Sequence, residues 1–269
     1  MINFTLEGET TGMPGRKLCV LFDIDGTLLI TDVGRVTLRE ALREVSHVQD
    51  PFCEIRFGGR TDRSIVTELL ERNRLPVTEE KFNAVRDSYL RLLPEAITQS
   101  NGVLLPGVQE LLRLLQGDPR VVLFAMTGNF SAAAKVKLTY FGLQDYFEAV
   151  FGGDHDHRRD DLAKHTVEKI RSSRSWSTTS AGQKLGGSNG SELGEAESSE
   201  WVTLRDKPEF DTVVVGDTPA DIECSQAIGA RCLAVCTGGY SMDDLKSHSP
   251  DSLFPDLKDQ DKVIEALLG

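Results

Sequence analysis

The chain has 269 residues, 39% of them apolar, and a formal net charge of −12. That size suits one large α/β domain or a core with a small satellite, and no apolar run approaches membrane-spanning length. The acidic balance argues against a nucleic-acid backbone as partner, but it is compatible with a small anion held by a metal and a few cations.

The elements follow in chain order. Residues 1–17 carry no long apolar stretch and no small-residue cleavage site, so they are expected to be a flexible lead-in rather than a secretory signal. Leu18-Cys19-Val20-Leu21-Phe22 reads as a buried strand, because the run is too short for an ordinary helix. It runs straight into Asp23-Ile24-Asp25-Gly26-Thr27. Asp23 and Asp25 would point the same way if the strand continued, and Gly26 lets the chain turn away. Two acids this close repel unless a cation or a shared proton relieves them, which favours a hard divalent ion with oxygen ligands.

Helical periodicity then marks Thr37 to Val48, a helix capped by Asp62 with Ile65, Val66, Leu69 and Leu70 on one face, and a third capped by Thr78. A crossover between parallel strands needs only about a dozen residues or somewhat more. The longer stretch from Val33 to Gln99 is therefore expected to be a small helical cap. Pro106 and Gly107 start the helix that returns to the core. Val121 to Met126 is a second strand, ending in Thr127-Gly128-Asn129, and Phe130 to Phe141 is a helix stopped by Gly142. Phe147 to Phe151 is a short strand. Asp211 to Val215 is a further strand, ending in Gly216-Asp217-Thr218-Pro219-Ala220-Asp221, followed by a helix to Ile228. Leu233 to Val235 is expected to be the last strand and Asp261 to Leu268 a terminal helix. Ser172 to Glu200 is rich in Ser, Gly, Thr and Glu, and is expected to be a disordered surface insertion flanked by Trp176 and Trp201. The five cysteines lack CxxC spacing, so reduced thiols in the cytoplasm or another reducing intracellular compartment are expected.

Three apolar strands that each end in a small or acidic cluster, with DxDGT, TGN and GDxxxD, resemble the haloacid-dehalogenase-like hydrolase superfamily. Its members are mostly Mg-dependent phosphatases. The resemblance spans roughly Leu18 to Val235. Phe57-Gly58-Gly59-Arg60-Thr61-Asp62 is similar to the cap loop of the phosphoglycolate-phosphatase-like subgroup. It implies a Rossmann-like parallel sheet with helices on both faces, plus a small α-helical cap inserted after the first strand. The implied domains are a core of residues 1–32 and 100–269 and a cap of residues 33–99, with residues 172–200 as an insertion within the core.

The resemblance also implies the roles. Asp23 is the nucleophile and Asp25 the acid and base. Mg²⁺ contacts Asp23, the backbone carbonyl of Asp25, Asp217 and, directly or through water, Asp221. Thr127 and the amides of Gly26 and Gly128 hold the phosphoryl group. No Lys-Pro follows the Phe147 strand, so the balancing cation is expected from His157-Arg158-Arg159-Asp160-Asp161-Leu162-Ala163-Lys164. Arg159 is preferred, with Lys164 and then Arg158 as alternatives. Asp154 to His157 are expected to be solvated loop residues rather than a second metal site. Arg60 is expected either to meet an anionic group of the substrate or to pair with Asp62 or another acid at a helix start.

Within the superfamily, Asp25 favours phosphoryl transfer over dehalogenation, since halide departure needs no acid. Phosphonatases need a cap lysine, and the only one here, Lys81, reads as exposed. The reading is therefore a hydrolase of small phosphorylated metabolites, monomeric or homodimeric, with neither nucleic acid nor membrane as partner. A sugar-phosphate mutase or a catalytically silent binding protein are the alternatives.

Overall fold

Alternation along one central strand sets the layers. The computed structural model describes residues 17–52, 54–173 and 210–269. In β1 (Lys17–Phe22), Leu18, Val20 and Phe22 face one layer, with α4 (Val108–Gln116), α5 (Ser131–Tyr140) and α9 (Gln260–Leu268) packed against them. Cys19 and Leu21 face the other, with α6 (Arg159–Ser172) and α7 (Pro219–Ala227). A strand buried on both faces must be apolar throughout, and each fully buried Leu or Phe contributes about 1.5–3 kcal/mol.

The parallel sheet has six strands in the order β5-β4-β1-β6-β7-β8. The others are β4 (Val121–Thr127), β5 (Ala149–Gly152), β6 (Phe210–Gly216), β7 (Arg231–Val235) and β8 (Ser252–Phe254). Phe22 pairs with Ala125 on one side and Val215 on the other, which brings the ends of β1, β4 and β6 to one edge. The chain reverses its direction of travel across the sheet at β1, and such switch points are where open α/β sheets bind ligands.

Between β1 and β4 the chain makes β2 (Leu29–Ile30), then α1 (Val33–Ser46), α2 (Asp62–Arg72) and α3 (Glu79–Thr98), and returns through β3 (Val103–Leu104), which pairs antiparallel with β2. The three helices share a cluster of their own, including Leu42, Val66, Leu69, Val85 and Tyr89, and it also takes in Phe130 and Ala133 from the core side. Phe130 meets Phe82 edge-on at 6.1 Å.

Several details differ from the sequence reading. α1 begins at Val33, four residues early. Thr61, not Asp62, caps α2, its side chain accepting from the Ser64 amide at 3.2 Å. Thr78 caps α3 as expected. β7 is followed by α8 (Met242–Ser247) and the edge strand β8, whose three residues are too short to carry a period. The lead-in through residue 16, Cys53, and the Ser/Gly-rich stretch from residue 174, with Trp176 and Trp201, lie outside the described residues. Among the described residues, Cys19, Cys224, Cys232 and Cys236 are free thiols and no helix is long and apolar enough to cross a membrane.

Candidate active site

β1 ends at Phe22, and the chain turns at once. The amides of Leu28 and Leu29 both return to the Ile24 carbonyl, with Gly26 at a φ of 90°. Because the strand does not continue, Asp23 and Asp25 do not point the same way. Asp23 keeps the parity of Cys19 and Leu21 and faces α6. Asp25 is turned toward α5. The alternation expected of a continued strand therefore does not extend to Asp25, because the chain turns after Phe22.

Asp23 accepts from Arg159 Nη1 at 3.0 Å, and the other terminal nitrogen of Arg159 bonds Asp221. Arg159 is the first residue of α6, 6% exposed. Burial opposes its charge, but Asp221 and Asp23 outweigh that and hold its pKa above the ordinary value. Its Nε is buried without a partner. The remaining Asp221 oxygen accepts from the Thr218 amide and hydroxyl at 3.1 and 2.6 Å. Asp221 is thus engaged by a capping box and an arginine at once.

Asp217 follows β6 and accepts from the Thr27 hydroxyl at 3.0 Å. A Cβ at Gly26 or at Gly238 would overlap the Asp217 carboxylate, so two glycines leave its space open. One oxygen from each of Asp23, Asp217 and Asp221 lies within 4.8 Å of the others, and all three residues are buried. Burial pushes the Asp23 carboxyl up to about 7 against the pull of Arg159, with Asp221 and Asp25 adding to the rise. Burial, together with the charges of Asp23 and Asp221, pushes Asp217 well above the carboxylate range. Three acids around one arginine leave an excess of buried negative charge, and an oxygen-only donor set of this kind fits a hard divalent cation such as Mg²⁺.

Asp25 has different company. Lys137 Nζ donates to its two oxygens at 2.7 and 2.6 Å, and Asn129 Nδ2 donates to one at 2.6 Å. Its carboxylate is therefore drawn away from the acidic cluster. Thr127 Oγ1 accepts from the Asn129 amide and side chain at 3.3 and 2.8 Å, which leaves its own O–H to donate. The Gly26 amide is taken by the Leu29 carbonyl at 2.8 Å, so it is not the free phosphoryl donor expected from the sequence.

The cap loop closes over these groups. The Asp62 amide donates to the Gly128 carbonyl at 2.7 Å, and a Cβ at Gly128 would collide with the Arg60 carbonyl. A cavity of about 340 Å³ remains, lined by Asp23, Asp25, Thr127, Gly128, Asn129, Lys137 and Arg159 from below and by Arg35, Phe57, Arg60 and Tyr89 from above.

Of the candidate cations, only Arg159 reaches Asp23. Lys164, one turn further along α6, is exposed and 4.0 Å from Asp161, and Arg158 pairs with Asp160 at 2.8 Å. Helix geometry explains this: Arg159 and Lys164, five residues apart, lie on different faces. Arg60 lines the cavity but spends its guanidinium on Glu68 at 2.5 Å and the Ser64 carbonyl at 3.1 Å, so its acid partner is Glu68 rather than Asp62. Asp154 and Asp156 are not simply solvated: Asp154 holds the start of α5 through the Ser131 amide, and the buried Asp156 meets His165 at 2.7 Å.

Lys137, Asn129 and Gly238 were missed. Lys137 carried a signal: it sits three residues after Ala134 and one before Leu138, inside an apolar stripe where a lysine needs a partner. Gly238 carried none, because its neighbour is Asp217, made close only by folding.

The haloacid dehalogenase-like hydrolase family matches residues 18–171, and a related HAD-hydrolase-like profile matches residues 197–260. The chain is 29% identical to the "Probable phosphatase IndB" of Dickeya dadantii over 259 residues, covering 94% of this chain and 95% of that one. In fold it is similar to a predicted phosphoglycolate phosphatase from Haemophilus somnus 129PT, with a TM-score of 0.62, 16% identity and coverage of 93% and 98%. It is also similar to CbbY from Rhodobacter sphaeroides, solved in complex with phosphate, with a TM-score of 0.58, 12% identity and coverage of 89% and 94%. With its first match alone spanning more than half of the sequence, the chain belongs to the haloacid dehalogenase-like hydrolase family.

Proposed function

We propose that the protein is a Mg²⁺-dependent phosphatase of small phosphate monoesters, working through a phosphorylated Asp23. The observation that carries this is the division of two acids only two residues apart between two cations: Asp23 goes to Arg159 and Asp25 to Lys137. Such a division suits two roles, nucleophile and proton carrier.

Asp23, Asp217 and the Asp25 carbonyl would hold the metal, with Asp221 acting through Arg159 or a water, since both its oxygens are engaged. The bound ion would offset repulsion between Asp23 and the anionic substrate. In the first step an Asp23 oxygen bonds phosphorus and the P–O bond to the alcohol breaks. The alcohol oxygen keeps the bonding pair and takes a proton from Asp25. In the second, a water oxygen bonds phosphorus while Asp25 takes its proton. The P–O bond to Asp23 then breaks, and inorganic phosphate leaves. Thr127 donates to a phosphoryl oxygen, and Arg159 balances charge around Asp23 throughout.

The cavity volume of about 340 Å³ supports a small leaving group. Residues 33–99 act as the cap that selects it, over a core of residues 1–32 and 100–269. Phosphate release from a panel of monoesters, with Mg²⁺ or EDTA, tests the reading on wild type and Asp23→Asn. Metal-dependent turnover that falls more than a thousandfold in the folded variant is expected. A folded Asp23→Asn protein with a tenth of wild-type activity would overturn it.

A further inference from the structure

A lysine on the inner face of a helix is costly unless each of its donors is used. Lys137 is 3% exposed, between the buried Ala134 and Leu138 of α5. Its Nζ has three partners: both oxygens of Asp25 and, at 2.8 Å, Oδ1 of Asn129. The same Asn129 gives its Nδ2 to Asp25 and to Thr127 Oγ1. Asn129 therefore ties the lysine to the strand end that bears Thr127, so the two groups holding Asp25 are themselves fixed to the core.

Asp25 needs such support. It lies in the turn beyond β1, and its side chain is 36% exposed, toward the cavity. Among the described residues, Lys137 and Asn129 are the partners of its carboxylate. Lys137 lines the floor of the cavity and the cap comes near it: a Cβ on Gly34 at the start of α1 would stand 3.7 Å from the Tyr89 hydroxyl and 3.9 Å from Lys137 Nζ. Of the pair, the Asp25 carboxylate presents far more surface to a ligand than the lysine, 36% against 4% of the side chain.

We infer that Lys137 is a positioning residue that holds Asp25 in register with the leaving-group oxygen. The inference rests on the proposed phosphatase reaction, in which Asp25 carries a proton to the departing alcohol. Asp23 attack does not depend on Lys137, because Asp23 is held separately by Arg159. An ester whose leaving group departs as a stable anion makes little demand on Asp25, whereas an alkyl ester depends on it.

The test is the ratio of kcat/KM for an alkyl phosphate to that for p-nitrophenyl phosphate, in wild type and Lys137→Met. This constant covers the steps up to release of the alcohol, where the two esters differ. The ratio should fall at least fivefold in Lys137→Met, with wild-type-like circular dichroism. A smaller change in the ratio, whether both rates drop together or neither drops, would overturn the inference and return Lys137 to a satisfied core lysine. Two alkyl phosphates, one neutral and one bearing a carboxylate, should lose equally. A loss confined to the carboxylated ester would make Lys137 a substrate-binding group instead. If Lys137→Met does not fold, Lys137→Gln, which keeps a donor of reduced reach, is judged by the same ratio. Wild-type protein inert toward all three esters would overturn the proposed reaction itself, a result distinct from an unchanged ratio.

Discussion

The Asp62 carboxylate accepts the Phe130 amide at 2.8 Å, joining the first residue of α2 to the cap residue of α5. With the Asp62 amide on the Gly128 carbonyl, this makes a two-point latch between cap loop and core. The carboxylate is 7% exposed, and burial pushes its pKa from an ordinary 3.8 to about 7, against the opposing charge of Lys137.

A raised carboxyl pKa costs stability as pH rises. Between about pH 4 and 7 the unfolded chain releases a proton that folded Asp62 retains, so stability falls through that window. Asp62→Asn keeps an acceptor for the Phe130 amide and removes the buried charge. It should raise stability at pH 8 by an amount of order 1–4 kcal/mol and shrink the difference in Tm between pH 5 and pH 8. A variant less stable than wild type at pH 8 would show that the latch requires the charge itself.

Arg159 and Lys164 separate cleanly as targets. Removing Arg159 leaves Asp23 and Asp221 buried and uncompensated, so Arg159→Met should cost about 3–5 kcal/mol at pH 8 and lower kcat at least a hundredfold. Lys164→Ala removes an exposed side chain and should change stability by no more than about 0.5 kcal/mol, with activity within twofold. Urea titrations and phosphate release measure both. A large activity loss in Lys164→Ala would return that lysine to the site.

What could be read in the sequence divides along a physical line. Asp23, Thr127 and Asp217 were legible because each stands at the end of an apolar strand, and parallel pairing gathers strand ends. Arg159 was legible only as one of three cations, since a loop and a helix start do not specify which side chain turns inward. Lys137 and Asn129 required knowing the shape of the turn that follows Phe22, because that turn sends Asp25 to the α5 side. The α2 cap was misplaced by one residue for a related reason. Asp62 has the chemistry of a cap, but its carboxylate is taken by Phe130, 68 residues away, and Thr61 supplies the cap.

Metal and proton should compete for the acidic cluster. Asp23 is pushed up to about 7, and Asp217 is raised as well, so near pH 5.5 folded protein without metal holds protons there that a cation must displace. Mg²⁺ should therefore raise Tm more at pH 8 than at pH 5.5, with about 2.7 kcal/mol of stabilisation when the ion is at a hundred times its Kd. Thermal melts in Mg²⁺ and in EDTA at the two pH values decide it. An equal shift at both would place the binding site elsewhere.

Gly238 offers a test that alters no polar group of the site. It lies beyond β7, and its open side faces the Asp217 carboxylate, where a methyl group would overlap Oδ2 and crowd Cγ. Asp217 has little freedom to yield: it is 3% exposed, its other oxygen accepts from Thr27, and Gly26 closes on it from the turn after β1. Nearby, the Thr237 hydroxyl donates to the Gly26 carbonyl at 2.5 Å, tying the two glycine-bearing segments together. Gly238→Ala should thus displace the Asp217 carboxylate from its position beside Asp23. The expected result is at least a tenfold weaker Mg²⁺ dependence of activity, read as the metal concentration for half-maximal rate, and a smaller Mg²⁺-induced rise in Tm. Gly239→Ala, where a Cβ meets nothing within 4 Å, is the matched control and should leave both near wild type. Equal behaviour of the two variants would mean that Asp217 tolerates displacement, and that its place in the cluster is not set by the space Gly238 leaves.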